Sequence, residues 1–241
     1  SIPPGWHYLF FPKFPLTSEL GRDGMVPEMD NGPEDPLPLR MFAGSRTNFY
    51  RPLRIGDEAT QVTELTSLKP TVSRTGKKLV FITYRHTISN ADGIATEDEW
   101  DIVFLEEDKD GGRQAPPGQS GPASATWERE ITVTTTMLFR FSAAIWNPHR
   151  IHYDYPYTTE TEGFPGLVVH GPLTFMWLLE LARDSLPGAT MTSFEMKAKS
   201  PLYADQPIKL MGEPGNDGKS CNLWALNHEG IISTEASATF A

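Results

Sequence analysis

Hydrophobic and polar residues alternate in several stretches of this chain, a pattern typical of strands with one buried face. Three such stretches lie in the first half, at residues 58–69, 78–89 and 96–105. Four more lie near the carboxyl end, at residues 191–200, 206–212, 220–227 and 230–240. Two further apolar stretches, at 7–11 and 127–141, are also predicted to be strands, so the chain is expected to be rich in β-structure.

One segment, residues 171–186, has the length and composition of a long helix. Its apolar residues lie on nearly all sides, which predicts a buried helix. Pro172 falls in the first turn, where its missing N–H costs nothing, and Pro187 with Gly188 ends the segment. A buried helix followed by antiparallel strands favours an α+β fold in which a sheet wraps around a helix.

Proline and glycine mark where the chain divides. The chain has 241 residues, including 21 Pro and 20 Gly. Residues 109–125 lack periodicity and are rich in Gly, Pro, Ser and charge, which is typical of a linker. We therefore predict two domains, at residues 1–108 and 126–241. An irregular excursion also follows residue 11, and long loops of this kind are often functional.

Composition and charge exclude several classes of protein. The single cysteine, Cys221, excludes a disulfide framework and a cysteine-rich metal site. No apolar run approaches the ~18–20 residues of a spanning helix, so no membrane insertion is expected. Residues 1–120 carry 13 basic and 18 acidic side chains and residues 121–241 carry 8 and 13, a net charge of −5 each. No basic surface for nucleic acid is expected.

A polar cluster at residues 146–154, WNPHRIHYD, is the best candidate for chemistry. It contains His149 and His152, and histidine is suited to proton transfer near neutral pH. Asn147 and Asp154 could orient an imidazole. Downstream, His170 and Gly171 open the predicted helix, whose first N–H groups are unpaired and could hold an oxyanion.

Other interpretations of this cluster stay open at this point. The two histidines could bind a metal, although no convincing ligand spacing completes the set. The segment could also be a polar loop without chemistry, and His170 could simply pack or cap the helix start. The first half has no histidine and aspartate at a comparable spacing, so His7 and His86 are expected to be structural.

The stretch from 141 to 174 resembles the hydratase signature of MaoC-like hot-dog enzymes. More closely, it resembles the branch of hydroxyacyl-thioester dehydratase type 2 and mesaconyl-coenzyme A hydratase, which carries an asparagine, an RIHYD motif and then GLVVHGPL. Segments of the same branch are also matched at residues 3–11, 38–44, 49–53 and 194–202. The resemblance therefore covers most of the chain.

The resemblance implies a double hot-dog, in which each of two fused units wraps an antiparallel sheet around a central helix. Residues 1–108 would form a non-catalytic unit, expected to be incomplete with residues missing ahead of Ser1, and residues 126–241 the catalytic unit. His152 would be the catalytic acid/base, the Gly171 N–H would hold the thioester oxyanion, and Asn147 would orient water or the substrate hydroxyl.

One position departs from the general hydratase motif. Asn147 stands where that motif has aspartate, and an amide cannot accept a proton at neutral pH. Either His152 works alone, or a neighbour assists; the candidates for assistance are His149, Asp154 and His170. The resemblance implies no metal and no redox cofactor.

The resemblance further implies an acyl thioester substrate carried on coenzyme A or on the phosphopantetheine of an acyl-carrier protein. Arg150, Tyr153, Lys197 and Lys199 are candidates for binding it. We expect a lyase that interconverts 3-hydroxyacyl and 2-enoyl thioesters. One alternative is a dehydratase, isomerase or cyclase of specialised metabolism, acting on a bulky polyketide-like substrate. Another is a non-catalytic acyl-thioester-binding scaffold. A monomeric pseudo-dimer or a homodimer, in cytoplasm or mitochondria, is compatible with all three.

Overall fold

The computed structural model describes residues 1–27, 37–73, 76–107 and 118–241. The first half of this described chain contains four strands, β1 Leu39–Phe49, β2 Thr60–Val72, β3 Lys78–Asn90 and β4 Gly93–Leu105. The second half contains the remaining elements: β5 Trp127–Thr132, α1 Thr135–Ala144, α2 Gly171–Ser185, β6 Met191–Ala198, β7 Pro207–Pro214, β8 Ser220–Leu226 and β9 Ile232–Phe240.

All of these strands belong to one antiparallel sheet in the order β2-β3-β4-β1-β6-β9-β8-β7-β5. The two halves meet where β1 pairs with β6, with Gly44 opposite Lys197. A Cβ atom on Gly44 would lie 2.4 Å from the carbonyl oxygen of Met196. Glycine at this position therefore allows the two halves to approach closely.

Helix α2 forms the core of the second half. Phe175, Leu178 and Ala182 are fully buried against the sheet, as expected for a helix that is apolar on nearly all sides. They pack with buried strand residues, including Leu210 and Leu223. The predicted helix is confirmed within one residue of its end.

The first half is built differently. In its described residues, helical structure is restricted to the short turns Trp6–Leu9 and Thr17–Glu19, and no long helix covers its four strands. Strand β2 is largely exposed along its whole length. The predicted linker lies partly outside the described residues, because 108–117 are not among them. The division into two domains and the incompleteness of the first unit stay predictions.

Three local predictions were wrong. The apolar stretch at 7–11 is not a strand, because Trp6–Leu9 forms a 3₁₀ turn after Gly5, whose φ is +84°. The stretch at 127–141 changes from strand to helix: β5 ends at Thr132, and Thr134 caps α1 by accepting a hydrogen bond from the Met137 N–H at 3.3 Å. Strand β1 was missed, because its mixed composition shows no clean alternation.

None of the helices within the described ranges has the length and apolar character needed to cross a lipid bilayer.

Candidate active site

A cavity of about 1550 Å³ is lined by residues of both halves. The first half contributes residues of β1, β3 and β4, and the second half contributes the loop after α1 and the start of α2. Asn147, His149, His152 and Gly171 all line this cavity. The structure therefore brings together, in one chamber, four of the residues that the sequence singled out for chemistry.

His152 lies on the 3₁₀ turn Arg150–His152 and is buried. Its Nδ1 is 2.7 Å from the carbonyl oxygen of Val168. A carbonyl can only accept, so Nδ1 carries the hydrogen and Nε2 keeps its lone pair. Burial lowers the pKa of His152 to about 4, an effect larger than the opposing influence of the Val168 carbonyl. The imidazole is therefore a neutral base at physiological pH.

His170 stacks on His152, with ring centroids 3.6 Å apart and planes at 19°. Its Nε2 lies 2.8 Å from the Ser142 hydroxyl, which anchors the ring to α1. Burial, with the nearby His152 and His149 rings, holds the pKa of His170 far below its usual range. His170 does not line the cavity. The neutral ring of His170 therefore packs behind His152 and holds the plane of the His152 ring.

Gly171 is the first residue of α2, and its N–H belongs to the turn whose donors have no partner inside the helix. The next residue, Pro172, has no N–H. A Cβ on Gly171 would lie 2.6 Å from Cδ1 of Phe42, and 3.0 Å from both its Cβ and Cγ. The absence of a side chain therefore lets β1 and the helix start approach each other at the cavity.

Asn147 follows a strained residue. Trp146 has a φ of +53°, which bulky residues rarely adopt, and its ring meets Phe14 edge-on at 5.1 Å. The side-chain oxygen of Asn147 accepts the His149 N–H at 2.9 Å. The amide NH₂ of Asn147 then remains as the group that can donate to a ligand.

His149 lies between His152 and two carboxylates. Its ring is perpendicular to that of His152, at 88° with centroids 5.5 Å apart. Its Nε2 is 3.8 Å from Oδ2 of Asp23 and 3.9 Å from Oε1 of Glu162. Arg40 on β1 donates to the same Asp23 oxygen through Nε at 2.8 Å. All of these side chains are buried.

The residues Asp23, Arg40 and Glu162 were missed by the sequence analysis. Arg40 lies in one of the segments that carried the family resemblance, which was a weak signal for it. No sequence signal pointed to Asp23 or Glu162. Asp23 is 126 residues from His149 and Glu162 is 13 residues from it, and no local periodicity links them.

Asp154 and Arg150 pair with each other. Nε and Nη2 of Arg150 donate to Oδ2 of Asp154 at 2.9 and 2.7 Å, and Oδ1 of Asp154 accepts the Tyr157 N–H at 3.1 Å. The Arg150 guanidinium also lies 4.0 Å from the centre of the Tyr157 ring. Neither Arg150 nor Asp154 lines the cavity, so the structure does not bring this pair to His152 as the sequence suggested.

The other predicted binding residues separate into two groups. Lys199 lines the cavity and pairs with Glu235 at 2.6 Å. Lys197 is exposed, pairs with Glu195 and does not line the cavity. Tyr153 is half exposed, does not line the cavity and donates to the Pro148 carbonyl at 3.1 Å.

A histidine–aspartate pair does exist in the first half. His7 Nε2 lies 3.3 Å from Oδ2 of Asp98, and both side chains are buried and line the same cavity. Asp98 also accepts the Thr47 hydroxyl at 2.8 Å and the Trp100 N–H. The partners are 91 residues apart in the chain, so they do not form a pair at the spacing of residues 147–152, and the structural role expected of His7 stays a prediction.

Within the described residues, no three His, Cys, Asp or Glu side chains are arranged to hold a metal ion.

Comparison with known proteins places the chain in a family. The sequence pattern of the family described as hydroxyacyl-thioester dehydratase type 2 matches residues 5–204. The chain is 37% identical over 240 residues to mesaconyl-C(4)-CoA hydratase from Chloroflexus aurantiacus, covering 98% of this chain and 82% of that one. It is 28% identical over 243 residues to the mitochondrial hydroxyacyl-thioester dehydratase type 2 of Schizosaccharomyces pombe, covering 90% and 79%.

Solved structures confirm the fold. HtdX from Mycobacterium tuberculosis superposes with a TM-score of 0.66 at 19% identity, covering 83% of this chain and 76% of that one. A second protein from that organism, described as having a double hotdog fold, superposes with a TM-score of 0.55 at 14% identity, covering 83% and 75%. The predicted α+β double hot-dog is therefore confirmed. By sequence, the chain belongs to the hydroxyacyl-thioester dehydratase type 2 family, whose relatives named above are hydro-lyases, as the motifs predicted.

Proposed function

We propose that this protein is a hydro-lyase that interconverts 3-hydroxyacyl thioesters and 2-enoyl thioesters, with His152 as the base. The observation that carries the proposal is the hydrogen bond from His152 Nδ1 to Val168, which leaves Nε2 as the proton acceptor in a cavity that the start of α2 also lines. The names of the two relatives support the same class of reaction.

In the dehydration direction, Nε2 of His152 takes the proton from C2 of the substrate. Negative charge then develops on the thioester oxygen, and the Gly171 N–H stabilises it at the positive end of the α2 dipole. The bond from C3 to the hydroxyl oxygen breaks, the C2–C3 double bond forms, and the leaving oxygen takes up a proton and departs as water. Hydration reverses these steps. Proton transfer of this kind needs no redox cofactor.

The protonation state of His152 fits this role. Because burial keeps the ring neutral above about pH 4, Nε2 keeps its lone pair throughout the physiological range. A protein that only bound acyl thioesters would have no need of a buried, correctly protonated base. This observation favours an enzyme over the non-catalytic scaffold.

The substrate is proposed to be an acyl thioester of coenzyme A or phosphopantetheine. The relative from Chloroflexus is named for a coenzyme A thioester. Lys199, at the cavity wall, is the best placed of the predicted lysines to meet a phosphate. The mitochondrial relative supports a mitochondrial location, while the oligomeric state stays a prediction.

A bulky acyl group is a second candidate substrate. The cavity is large, and its wall carries the rings of Phe42, Tyr84 and Trp100. Such a lining would suit the polyketide-like substrate of specialised metabolism. A comparison of linear and aromatic 3-hydroxyacyl thioesters distinguishes the two, because only the bulky-substrate enzyme would leave every linear thioester unchanged.

The test of the proposed function is direct. Wild-type protein is incubated with 3-hydroxyacyl-coenzyme A of several chain lengths, and the enoyl product is followed by its absorbance. His152→Gln is expected to lower kcat by about 10²–10⁴-fold. The matched control is His228→Gln, at an exposed histidine in the turn between β8 and β9. Equal rates for His152→Gln and wild type would contradict the proposal.

A further inference from the structure

The proposed reaction needs a proton donor as well as a base: either His152 returns the proton it has taken from C2, or a second group donates one. When the C3–O bond breaks, the leaving oxygen requires a proton to become water. Asn147 cannot supply one, because an amide is not an acid at neutral pH. Asp154 is engaged by Arg150 and does not line the cavity. His170 is held neutral behind His152.

His149 is the remaining titratable group of the cluster, and it lines the cavity beside His152. The two rings meet edge to face with centroids 5.5 Å apart, so His149 lies directly beside His152. The side chains around its Nε2 are almost fully enclosed: 8% of His149, 8% of Asp23 and 1% of Glu162 is exposed. Charge in this region is therefore weakly screened.

The surrounding charges favour a positive His149. Two carboxylates, Asp23 and Glu162, lie within 4 Å of Nε2, and opposite charges at this distance stabilise the imidazolium form. One guanidinium, Arg40, compensates one of these carboxylates. Among the described residues, the other charged or titratable groups packed near this cluster include His152, His170, Tyr157, Arg22 and Arg150. A protonated His149 brings the buried cluster close to neutrality.

We propose that His149 is the catalytic acid of this site, held as an imidazolium by Asp23 and Glu162, and that it protonates the leaving 3-hydroxyl while His152 removes the C2 proton. This inference rests on the proposed hydro-lyase function. The step is balanced: the substrate loses one proton to His152 and its hydroxyl gains one from His149, which gives the enoyl thioester and water. A proton passing from His152 to His149, directly or through water, restores the enzyme.

Asp23 and Glu162 are positioning residues in this scheme, because they act through His149. The role of Asp23 gives the irregular N-terminal segment a function. Its backbone carbonyl also accepts the Arg150 N–H at 2.8 Å, and the carbonyl of Arg22 accepts Nη1 of Arg150 at 3.0 Å. The segment therefore docks on the RIHYD loop and delivers a carboxylate to it.

The first measurement reads the charge of His149 without any substrate. Protein labelled with ¹⁵N-histidine is examined by NMR at pH 7, and the His149 ring signals are assigned by their loss in His149→Gln. We expect an imidazolium in wild type and a neutral imidazole in Glu162→Gln and Asp23→Asn. The matched control is Glu160→Gln, at an exposed glutamate two residues from Glu162, which is expected to leave the signals unchanged.

The second measurement is the pH profile of kcat. Since only the imidazolium can donate, the wild-type rate is expected to fall as pH rises through the titration of His149. The pH profile of His149→Gln is expected to lack this fall in rate at high pH, and its kcat is expected to be lower by about 10²–10⁴-fold. In Glu162→Gln the fall in rate is expected to occur at lower pH, which lowers kcat at pH 7 by about tenfold or more. Binding of a saturated acyl-coenzyme A should change little in either variant.

The two hypotheses fail in different ways. A wild-type protein that dehydrates no 3-hydroxyacyl thioester contradicts the proposed function. An active wild type with a neutral His149 at pH 7, or with a pH profile that His149→Gln leaves unaltered, contradicts only the inference about the acid.

Discussion

At the scale of single residues, the proposed site depends on two atoms, Nε2 of His152 and the backbone nitrogen of Gly171. His152 Nε2 is available because Nδ1 is committed to Val168. The Gly171 N–H is available because it opens a helix, whose first N–H groups have no partner inside the helix. Both atoms owe their availability to backbone geometry, which a change of one side chain can disturb.

Gly171→Ala is expected to impair catalysis. The new Cβ would lie 2.6–3.0 Å from three atoms of Phe42, two of them close to the β1 backbone, so the helix start or the strand must shift. Overpacking of this kind costs about 1–3 kcal/mol, and displacing the oxyanion donor is expected to lower kcat by about 10–100-fold. The rate is measured with the best 3-hydroxyacyl thioester found for the wild type.

The control for this prediction lies five residues earlier. A Cβ on Gly166 would meet no atom within 4 Å, so Gly166→Ala should retain wild-type activity. The double variant Gly171→Ala with Phe42→Ala removes the clashing ring and should recover part of the rate. If Gly171→Ala were as active as Gly166→Ala, the helix start would not be the oxyanion site.

At the scale of elements, the site is assembled where three segments meet: the N-terminal segment, strand β1 and the loop that follows α1. The ion pair between Asp23 and Arg40 joins the first two, and both side chains are less than a tenth exposed. Breaking a buried ion pair by removing one partner leaves an uncompensated charge, which is strongly destabilising.

Arg40→Leu is therefore expected to lower the free energy of unfolding by about 3–5 kcal/mol. The double variant Arg40→Leu with Asp23→Leu should recover much of this loss, because no buried charge remains. Urea denaturation at pH 7 provides the measurement. Arg183→Leu serves as the control, since it removes an exposed ion pair with Asp184 and should change the stability by less than about 1 kcal/mol. Equal losses for Arg40→Leu and Arg183→Leu would contradict the assigned role of this pair.

At the scale of the whole molecule, the buried histidines connect the chemistry of the site to the stability of the fold. In the unfolded chain a histidine has a pKa of about 6.5, whereas burial lowers the pKa of His152 to about 4 in the folded protein. The unfolded state therefore binds a proton more readily as the pH falls below 6.5. The contribution of the neutral His152 to the free energy of unfolding is fully present above pH 6.5 and is lost as the pH approaches 4.

Acidification from pH 7 to pH 5.5 is expected to lower the free energy of unfolding by about 1 kcal/mol through His152 alone. His170, whose pKa is also lowered by burial, adds to the loss. Denaturation curves at both pH values measure it, and His152→Gln should show a smaller difference between them. The carboxyl groups with lowered pKa values, such as those of Asp101 and Glu99, titrate below pH 5.5 and therefore contribute little to this difference in stability. An equal change in stability between pH 7 and 5.5 for wild type and His152→Gln would contradict the burial of a neutral His152.

The amino-acid sequence by itself determined much of this protein. The apolar residues of 171–186 predicted a buried helix, and the alternating stretches predicted most strands, because these patterns depend on neighbours a few residues apart. The motifs around Asn147, His152 and Gly171 identified the family, since their residues are close together along the chain. The switch from strand to helix at Thr134 was missed, because threonine is common in strands and is also a favoured helix N-cap residue.

Only the tertiary structure decided what surrounds these motifs. Asp23, Arg40 and Glu162 meet at His149, and His7 meets Asp98, although each pair of partners is distant in sequence. The structure also separated the predicted candidates, bringing His149 to the cavity and pairing Asp154 with Arg150 outside it. The physical reason is that local patterns record which face of an element is buried, whereas the electrostatic environment of a buried group depends on charges that reach it only when the chain has folded.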